Sequence, residues 1–237
     1  PEAVTTFLKT NDANQVRRVQ DDILYLYRSD MSKHVSADEA TRISMVWQSI
    51  PSQLAKENKK FVYGAVRKGA RAKDFETAIQ WLVDAGLIYK VPRVREVGMP
   101  LKFYEDVNAF KIFMLDVGLL GAISEMEPAL MLMSNTAMTE SKGAFTENYV
   151  LCQLKTLSGI ATYYYSREDS RLELDFIVQH QGRIIPIEVK AEENLRSKSL
   201  KAFIDKHENL HAVRFSMSPY REQDWLTNVP LYAVRAI

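Results

Sequence analysis

The sequence predicts two fold classes in one chain, a mainly α first half and an α/β second half. Three observations carry this reading. Apolar residues recur at helical spacing from Val16 to Ala85, the pattern turns strand-like after Gly86, and beyond Lys142 it runs helix, three strands, helix, strand. At 237 residues the chain is long enough for two cores, and 46% hydrophobic with 26% charged residues marks ordered, globular structure.

In the first half, Val16–Met31 carries Val19, Ile23, Leu24 and Tyr27 on one helical stripe, and Ala37–Ile50 repeats the pattern with Ile43, Val46 and Trp47. Pro51-Ser52-Gln53 starts a short helix through Leu54, and Lys73–Ala85 presents Phe75, Ile79, Leu82 and Val83 before a Gly86 stop. Leu87–Val91 and Leu101–Tyr104 then read as two strands, joined by a loop holding Pro92, Gly98 and Pro100. Helices followed by a two-stranded ribbon describe a winged helix, placed at residues 1–105. Phe110–Leu120 reads as a short apolar helix and Gly121–Lys142 as a connector, so that 106–142 links the halves.

From 143 to 237 the class changes. Ala144–Leu157 is predicted as a helix with Phe145, Tyr149, Cys152, Leu154 and Leu157 inward. Ala161–Tyr165, Glu173–Val178 and Arg183–Lys190 are predicted strands; Ser197–His207 is an amphipathic helix through Leu200, Phe203 and Ile204; His211–Phe215 and Leu231–Val234 are strands.

Composition narrows function. A net charge of +1 means that any nucleic-acid binding must come from a local patch. A single cysteine, Cys152, excludes a disulfide framework and a multi-cysteine zinc site, and points to a reducing, cytoplasmic setting. No apolar run approaches the roughly 20 residues of a membrane span, since Lys111 and Asp116 interrupt Phe110–Ile123. Cys152 itself is expected to be a buried small hydrophobe. The opening Pro1-Glu2-Ala3-Val4 reads as an internal start of a longer protein.

The chemistry concentrates in one predicted hairpin. If Gln181-Gly182 is a two-residue turn, His180 pairs with Arg183 and Asp175 falls opposite Glu188. Directly opposed side chains share a sheet face about 4.5–5.5 Å apart, so two carboxylates there need a cation between them. Lys190 lies on the same face as Glu188, Ile187 and Val189 on the other, and Glu173 falls opposite Lys190. Hard divalent ions such as Mg²⁺ or Mn²⁺ suit carboxylate oxygens with water, and a nearby lysine suits developing phosphate charge.

Leu172-Glu173-Leu174-Asp175-Phe176 followed by Ile187-Glu188-Val189-Lys190 resembles the Asp…Glu-x-Lys signature of PD-(D/E)xK nucleases. That resemblance implies a restriction-endonuclease-like αβββαβ core, with Asp175 and Glu188 as metal ligands and Lys190 as a catalytic residue. The first helix of that superfamily often adds an acid, and Glu147 in Gly143-Ala144-Phe145-Thr146-Glu147-Asn148 matches it; Leu174 stands where the signature's name has proline.

The resemblance extends over the chain. Ile50–Leu54, Lys59-Lys60-Phe61, Trp81–Ile88, Pro100–Tyr104 and Phe113–Leu120 resemble a family of prokaryotic AAA-type ATPases that joins a P-loop domain to a winged helix and a nuclease-like domain of unknown function. It implies that residues 1–15 are the tail of an ATPase domain, that this ATPase domain is a partner, and that ATP binds there, since no G-x-x-x-x-G-K-[ST] loop occurs in this sequence. Oligomeric state is not implied.

Lys56, Lys59, Lys60, Arg67, Lys68, Arg71 and Lys73 crowd one segment whose only acid is Glu57, with Phe61 and Tyr63 interleaved, and so form a candidate DNA-phosphate patch. The same cluster could equally be a solvated loop or a docking surface for the ATPase domain. His207-Glu208-Asn209-Leu210-His211 matches H-E-x-x-H, but a strand starting at His211 would make the imidazoles diverge, so the match is taken as chance. Met126, Met131, Met133 and Met138 are assigned no role. Two functions from different classes follow: metal-dependent hydrolysis of DNA phosphodiesters, or a non-catalytic DNA- or protein-binding module of the ATPase.

Overall fold

In the computed structural model, which describes residues 1–56, 59–128, 139–167, 172–191, 197–207 and 209–237, the chain divides into two units. Pro1–Tyr89 with Ile112–Ser141 forms the first, and Lys90–Lys111 with Lys142–Ile237 the second.

The first unit holds α1 (Glu2–Thr10), α2 (Ala13–Met31), α3 (Ala37–Leu54), α4 (Tyr63–Val66), α5 (Ala72–Asp84) and α6 (Val117–Ile123). Polar side chains set the starts. The Asp12 carboxylate accepts from the Asn14 and Gln15 amides and Ser36 Oγ from the Glu39 amide, bonds worth about 1 kcal/mol each where a helix would otherwise leave donors bare. Ile43, Val46, Trp47, Ile50 and Leu54 of α3 are buried, as are Phe75, Ala78, Ile79 and Leu82 of α5. After α5, Gly86 takes φ 69° while Leu87 N–H donates to Leu82 C=O and Gly86 N–H to Val83 C=O, a Schellman stop. Pro51 was expected to open a new helix, yet α3 runs through it to Leu54. Burial of Ile50, Gln53 and Leu54 on one stripe outweighs the lost amide donor, and Gln53 is further tied to both the N–H and C=O of Val62. Residues 129–138, which include the middle of the expected connector and Met131, Met133 and Met138, lie outside the described residues.

The strands are β1 (Ile88–Val94), β2 (Glu105–Met114), β3 (Ala161–Ser166), β4 (Glu173–His180), β5 (Arg183–Val189), β6 (Ala212–Ser216), β7 (Arg221–Glu222) and β8 (Leu226–Pro230), in a mixed sheet ordered β2-β1-β3-β4-β5-β6-β8-β7. Two helices belong with them, α7 (Thr139–Leu154) and α8 (Lys198–Ile204). The order α7, β3, β4, β5, α8, β6 is the one read from the sequence. Gln181 and Gly182 both have positive φ, 48° and 74°, as a two-residue hairpin turn requires, and the pairing runs from His180 with Arg183 to Phe176 with Ile187 in the expected register.

Several elements differ from expectation. Leu101–Tyr104 is a 3₁₀ turn, and the second strand is Glu105–Met114, which takes the first residues of the expected helix Phe110–Leu120. Short apolar runs fit strand and helix alike, and here Asp116, whose carboxylate accepts from the Leu119 amide at 2.9 Å, fixes the helix start later. The expected ribbon of 1–105 does not close with the first half: Arg93 and Val94 of β1 pair in parallel with Tyr164 and Tyr165 of β3, and Lys90–Lys111 belongs to the second unit. A lone two-stranded ribbon is marginal in water, and adding it to a larger sheet covers an edge. The last strand is Leu226–Pro230, while Leu231–Ala236 is 3₁₀. Thr227 and Asn228 hid that strand, because Asn228 is buried to bond Arg214 and Ser216.

On α7 the buried residues are Ala144, Glu147, Asn148, Val150, Leu151 and Leu154; Phe145, Tyr149, Cys152 and, past the helix, Leu157 are only half-buried, contrary to the expected inward set. Two polar residues therefore face inward. On α8, Leu200, Phe203 and Ile204 pack with Tyr163, Tyr165 and Leu174 in one apolar cluster.

Candidate active site

The β4–β5 hairpin brings the expected residues to one end of the sheet. Asp175 does not face solvent with both oxygens: its Oδ2 accepts the Val189 N–H at 2.7 Å, tying the two strands together beyond Phe176 and Ile187. Glu188, 9% exposed, contacts Lys190 Nζ through Oε1 at 3.0 Å. Its other oxygen, Oε2, is buried and accepts no hydrogen bond among the described residues. Lys190, just past β5, has its N–H donated to Phe215 C=O and a side chain 33% exposed, so the ammonium is held near Glu188 yet reaches solvent.

The paired residues of β4 and β5 end at Phe176 and Ile187, short of Glu173 and Lys190; on the other edge of β4 Glu173 faces Ser166, and its Oε1 meets Lys111 Nζ at 2.6 Å. Lys111 comes from β2 and its side chain is 1% exposed. The ammonium lies 4.7 Å from the centroid of the Tyr164 ring and interacts with the carboxylates of Glu147 and Asp175 as well as Glu173. Burial alone would pull this lysine's pKa down; the three carboxylates outweigh it and hold the pKa above the ordinary lysine value. Glu147, 5% exposed on α7, is thereby part of the Lys111 environment. Sequence reasoning missed Lys111, although a charged residue inside the apolar run Ala109–Met114 was its signal.

Tyr164 is buried and its hydroxyl pKa rises to about 12, chiefly through burial, with Lys111 opposing. Arg214 of β6 lies beside Glu188 in parallel register. It is 4% exposed, donates from Nε to Asn228 Oδ1 at 3.0 Å and from Nη1 to Ser197 Oγ at 3.1 Å, and lines a cavity of about 520 Å³ with Lys198, Lys201, Arg221 and Trp225. Burial lowers its pKa and Glu188 offsets part of that.

The charged residues thus show two ion pairs, Lys111 with Glu173 and Lys190 with Glu188; Glu147 and Asp175 act electrostatically on Lys111, and Glu188 on Arg214. Among the described residues no group of three or more His, Cys, Asp or Glu is arranged to hold a metal ion. Of the two carboxylates expected to bind a cation, Asp175 spends Oδ2 on the Val189 amide, and Glu188 has a buried oxygen that accepts no hydrogen bond among the described residues.

The remaining candidates lie elsewhere. Arg67, Lys68, Arg71 and Lys73 are exposed around α4 and the start of α5, Lys59 and Lys60 are half-buried, and the Arg67 guanidinium lies 5.5 Å from the Phe75 ring centroid; Glu57 is outside the described residues. His207 follows α8 and stacks near Phe203, whereas His211 bonds Thr227 Oγ1 at 2.8 Å, so the two imidazoles serve different elements; Glu208 is outside the described residues. Cys152 Sγ accepts from Asn148 Nδ2 at 3.5 Å. Among the described residues, no helix is long and apolar enough to cross a membrane.

Comparison with known proteins places two domains on the chain. The profile described as "Domain of unknown function (DUF8612)" matches residues 1–130, and that described as "Domain of unknown function (DUF4143)" matches residues 142–234. No curated protein matches. A solved structure, "Crystal structure of protein VC1899 from Vibrio cholerae", is 13% identical with a TM-score of 0.26, over 85% of this chain and 55% of that chain. The chain spans about half the length of that protein, and a likeness of this size carries no argument about fold or function.

Proposed function

Since the chain belongs to the DUF8612 family and its second half matches DUF4143, a domain commonly found in AAA-ATPase-associated proteins, we propose that it is the carboxy-terminal region of an AAA-type ATPase whose second unit is a metal-dependent nuclease acting on DNA phosphodiesters. The observation that carries the reading is the Glu188 carboxylate, with one oxygen on Lys190 and the other buried and accepting no hydrogen bond among the described residues, on the hairpin that also presents Asp175. A buried carboxylate oxygen left bare costs about 1–3 kcal/mol or more, a cost that a cation removes.

Asp175 and Glu188 would hold Mg²⁺ or Mn²⁺, which supplies charge neutralisation at the phosphate and a more acidic bound water. The chain's own residues do the rest. Lys190, partly exposed beside Glu188, orients the attacking water or takes up charge on the phosphate oxygens. Arg214, Lys198 and Arg221, which line one cavity with the Lys201–Asp205 ion pair, suit a neighbouring phosphate of the same strand. Glu147 assists indirectly, through the ammonium of Lys111.

The test is cleavage of supercoiled and single-stranded DNA at low salt with Mn²⁺ or Mg²⁺, wild type beside Asp175→Ala and Lys190→Ala. Cleavage lost by at least a hundredfold in both variants, with folding retained, supports the reading. No cleavage by the wild type, together with no metal-induced rise in Tm, overturns it.

The second reading, a non-catalytic binding module of the ATPase, is favoured by Lys111, which already neutralises part of the carboxylate cluster. Exposed Arg67, Lys68, Arg71 and Lys73, with Lys59 and Lys60, would supply DNA contacts under either reading. Neutralising Arg67, Lys68 and Lys73 should cut the slope of log K against log salt by up to about 3 if each meets a phosphate. An unchanged slope would remove DNA as their ligand.

A further inference from the structure

Beside the β4–β5 hairpin, the second unit holds a cavity of about 520 Å³ whose lining sets the cations Lys198, Arg214 and Arg221 next to the indole of Trp225. Asp205 is the acid among its described lining residues, and an ion pair with Lys201 takes it up; the Lys201 ammonium also lies 5.3 Å from the Trp225 ring centroid. Arg214 is fixed in place. Asn228 and Ser197, which accept hydrogen bonds from it, are neutral and so orient the guanidinium without cancelling its charge. Asn228 is itself oriented, since its Nδ2 donates to the carbonyls of Ser218 and Pro219. Burial chiefly lowers the Arg214 pKa and Glu188 offsets part of that, but Arg221 lowers it further. The two guanidiniums repel, and an anion seated between them removes the repulsion.

Register ties this cavity to the candidate active site. Glu188 and Arg214 are partners in the parallel pairing of β5 and β6, so their side chains leave the same sheet face from strands about 4.8 Å apart. A DNA strand with one phosphate at Glu188 and Lys190 therefore brings an adjoining nucleotide to the cavity.

The lining selects what enters. The volume falls in the range of sites that enclose small ligands, and Ala202, Trp225 and Leu226 add an apolar wall to the cations. A nucleotide carries both complements, a phosphate and a flat base. In a duplex the base is stacked and paired, and only the backbone is on offer; in a single strand the base can turn out and enter.

We infer that this cavity seats one unpaired nucleotide, its phosphate on Lys198, Arg214 and Arg221 and its base against Trp225, so that the second unit takes single-stranded DNA in preference to duplex. The inference rests on the reading above for DNA as the ligand, and no metal ion enters it.

Tryptophan emission of the full chain in EDTA, where metal-dependent cleavage is off, is the test. Trp47 and Trp81 belong to the first unit, so Trp225→Phe supplies the baseline that assigns the signal to the cavity. A single-stranded dodecamer should change the Trp225 emission and bind at least about tenfold more tightly than the same dodecamer annealed to its complement, which must first unstack and unpair a base. Arg221→Gln, at an exposed position, should weaken single-strand binding and cut the slope of log K against log salt by about 0.7, the share of one phosphate on a single strand. Equal affinity for both forms, an emission change that persists in Trp225→Phe, or an unchanged slope in Arg221→Gln overturns the inference. No binding of either form overturns it together with DNA as the ligand. Single-strand preference without any cleavage in Mn²⁺ overturns the metal-dependent reading alone, and Mn²⁺-dependent cleavage without that preference overturns the inference alone. If Trp225→Phe fails to fold by circular dichroism, the affinity ratio and Arg221→Gln decide.

Discussion

The second unit buries two ionic clusters, and they are finished to different degrees. Around Asp106 both oxygens accept: Oδ2 receives Arg93 through Nε and Nη2 and Arg95 through Nη2, and Oδ1 receives the Asn108 amide at 3.0 Å. Around Glu188 one oxygen meets Lys190 and the other accepts no hydrogen bond among the described residues. Both are shielded from water, so solvent does not explain the difference. A closed network has spent its polar capacity on holding β1 to β2; an open one keeps capacity in hand for something that arrives later. Breaking the first should therefore damage the fold, and breaking the second should damage binding.

The largest effect is expected at the closed network. Asp106→Ala leaves Arg93, 5% exposed, without its carboxylate, and removing one member of a buried pair costs about 3–5 kcal/mol. Urea denaturation of the full chain should show a loss in that range, identical with and without Mn²⁺. A loss under about 1 kcal/mol would mean that the two clusters do not differ in the way argued. Glu188→Gln comes next. Metal-free stability should change by less than about 1 kcal/mol, because the amide keeps a hydrogen-bonding shape and Lys190 can turn to water. The wild type should gain about 2.7 kcal/mol at a Mn²⁺ concentration a hundred times Kd, and Glu188→Gln should gain none. Equal metal-induced shifts in both proteins would remove Glu188 from the site.

The contrast also explains what could be read from the sequence. The Gln181-Gly182 turn and strand alternation were enough to set the pairing from His180 with Arg183 to Phe176 with Ile187, because hairpin register is local information. Glu173 found a partner the hairpin could not reveal, because its ion pair is with Lys111, which comes from β2. Lys111 was out of reach for a longer-range reason. Its charge looked like an interruption of an apolar run until β2 was found in the same sheet as β4, with Lys111 bonded to Glu173. The buried face of α7 was misjudged in consequence: Glu147 and Asn148 count as outward residues unless an inward cation calls for one of them. The strands β3 to β6 and the Gly86 stop were legible; the partners of buried charges were not, since those are chosen by topology.

A smaller effect separates the clusters by pH. Burial would raise the Asp106 carboxyl, but Arg93, the Asn108 amide and Arg95 outweigh it and bring its pKa to about 2, below the ordinary 3.8. A carboxylate depressed in the folded state stabilises above its unfolded pKa and loses that contribution as pH falls through the folded one. Acid titration of wild-type stability should therefore show a component falling between roughly pH 4 and pH 2 that Asp106→Asn lacks. The loss should be less than for Asp106→Ala, because a protonated carboxyl still accepts hydrogen bonds. A falling component of the same size in Asp106→Asn would assign it to other carboxylates.

The smallest effect concerns Tyr164, whose buried hydroxyl makes no hydrogen bond among the described residues while its ring lies against Lys111. If that hydroxyl belonged to a closed network, Tyr164→Phe would cost the usual 0.5–1.5 kcal/mol or so of a hydrogen bond. If it belongs to the open cluster, the substitution removes a bare polar group, keeps the ring under the ammonium, and leaves stability within about 0.5 kcal/mol of wild type or slightly above it. The second outcome is expected, measured as the urea midpoint at unchanged m-value. A clear loss would mean that Tyr164 is satisfied in the folded protein and that the open cluster ends at Asp175, short of β3.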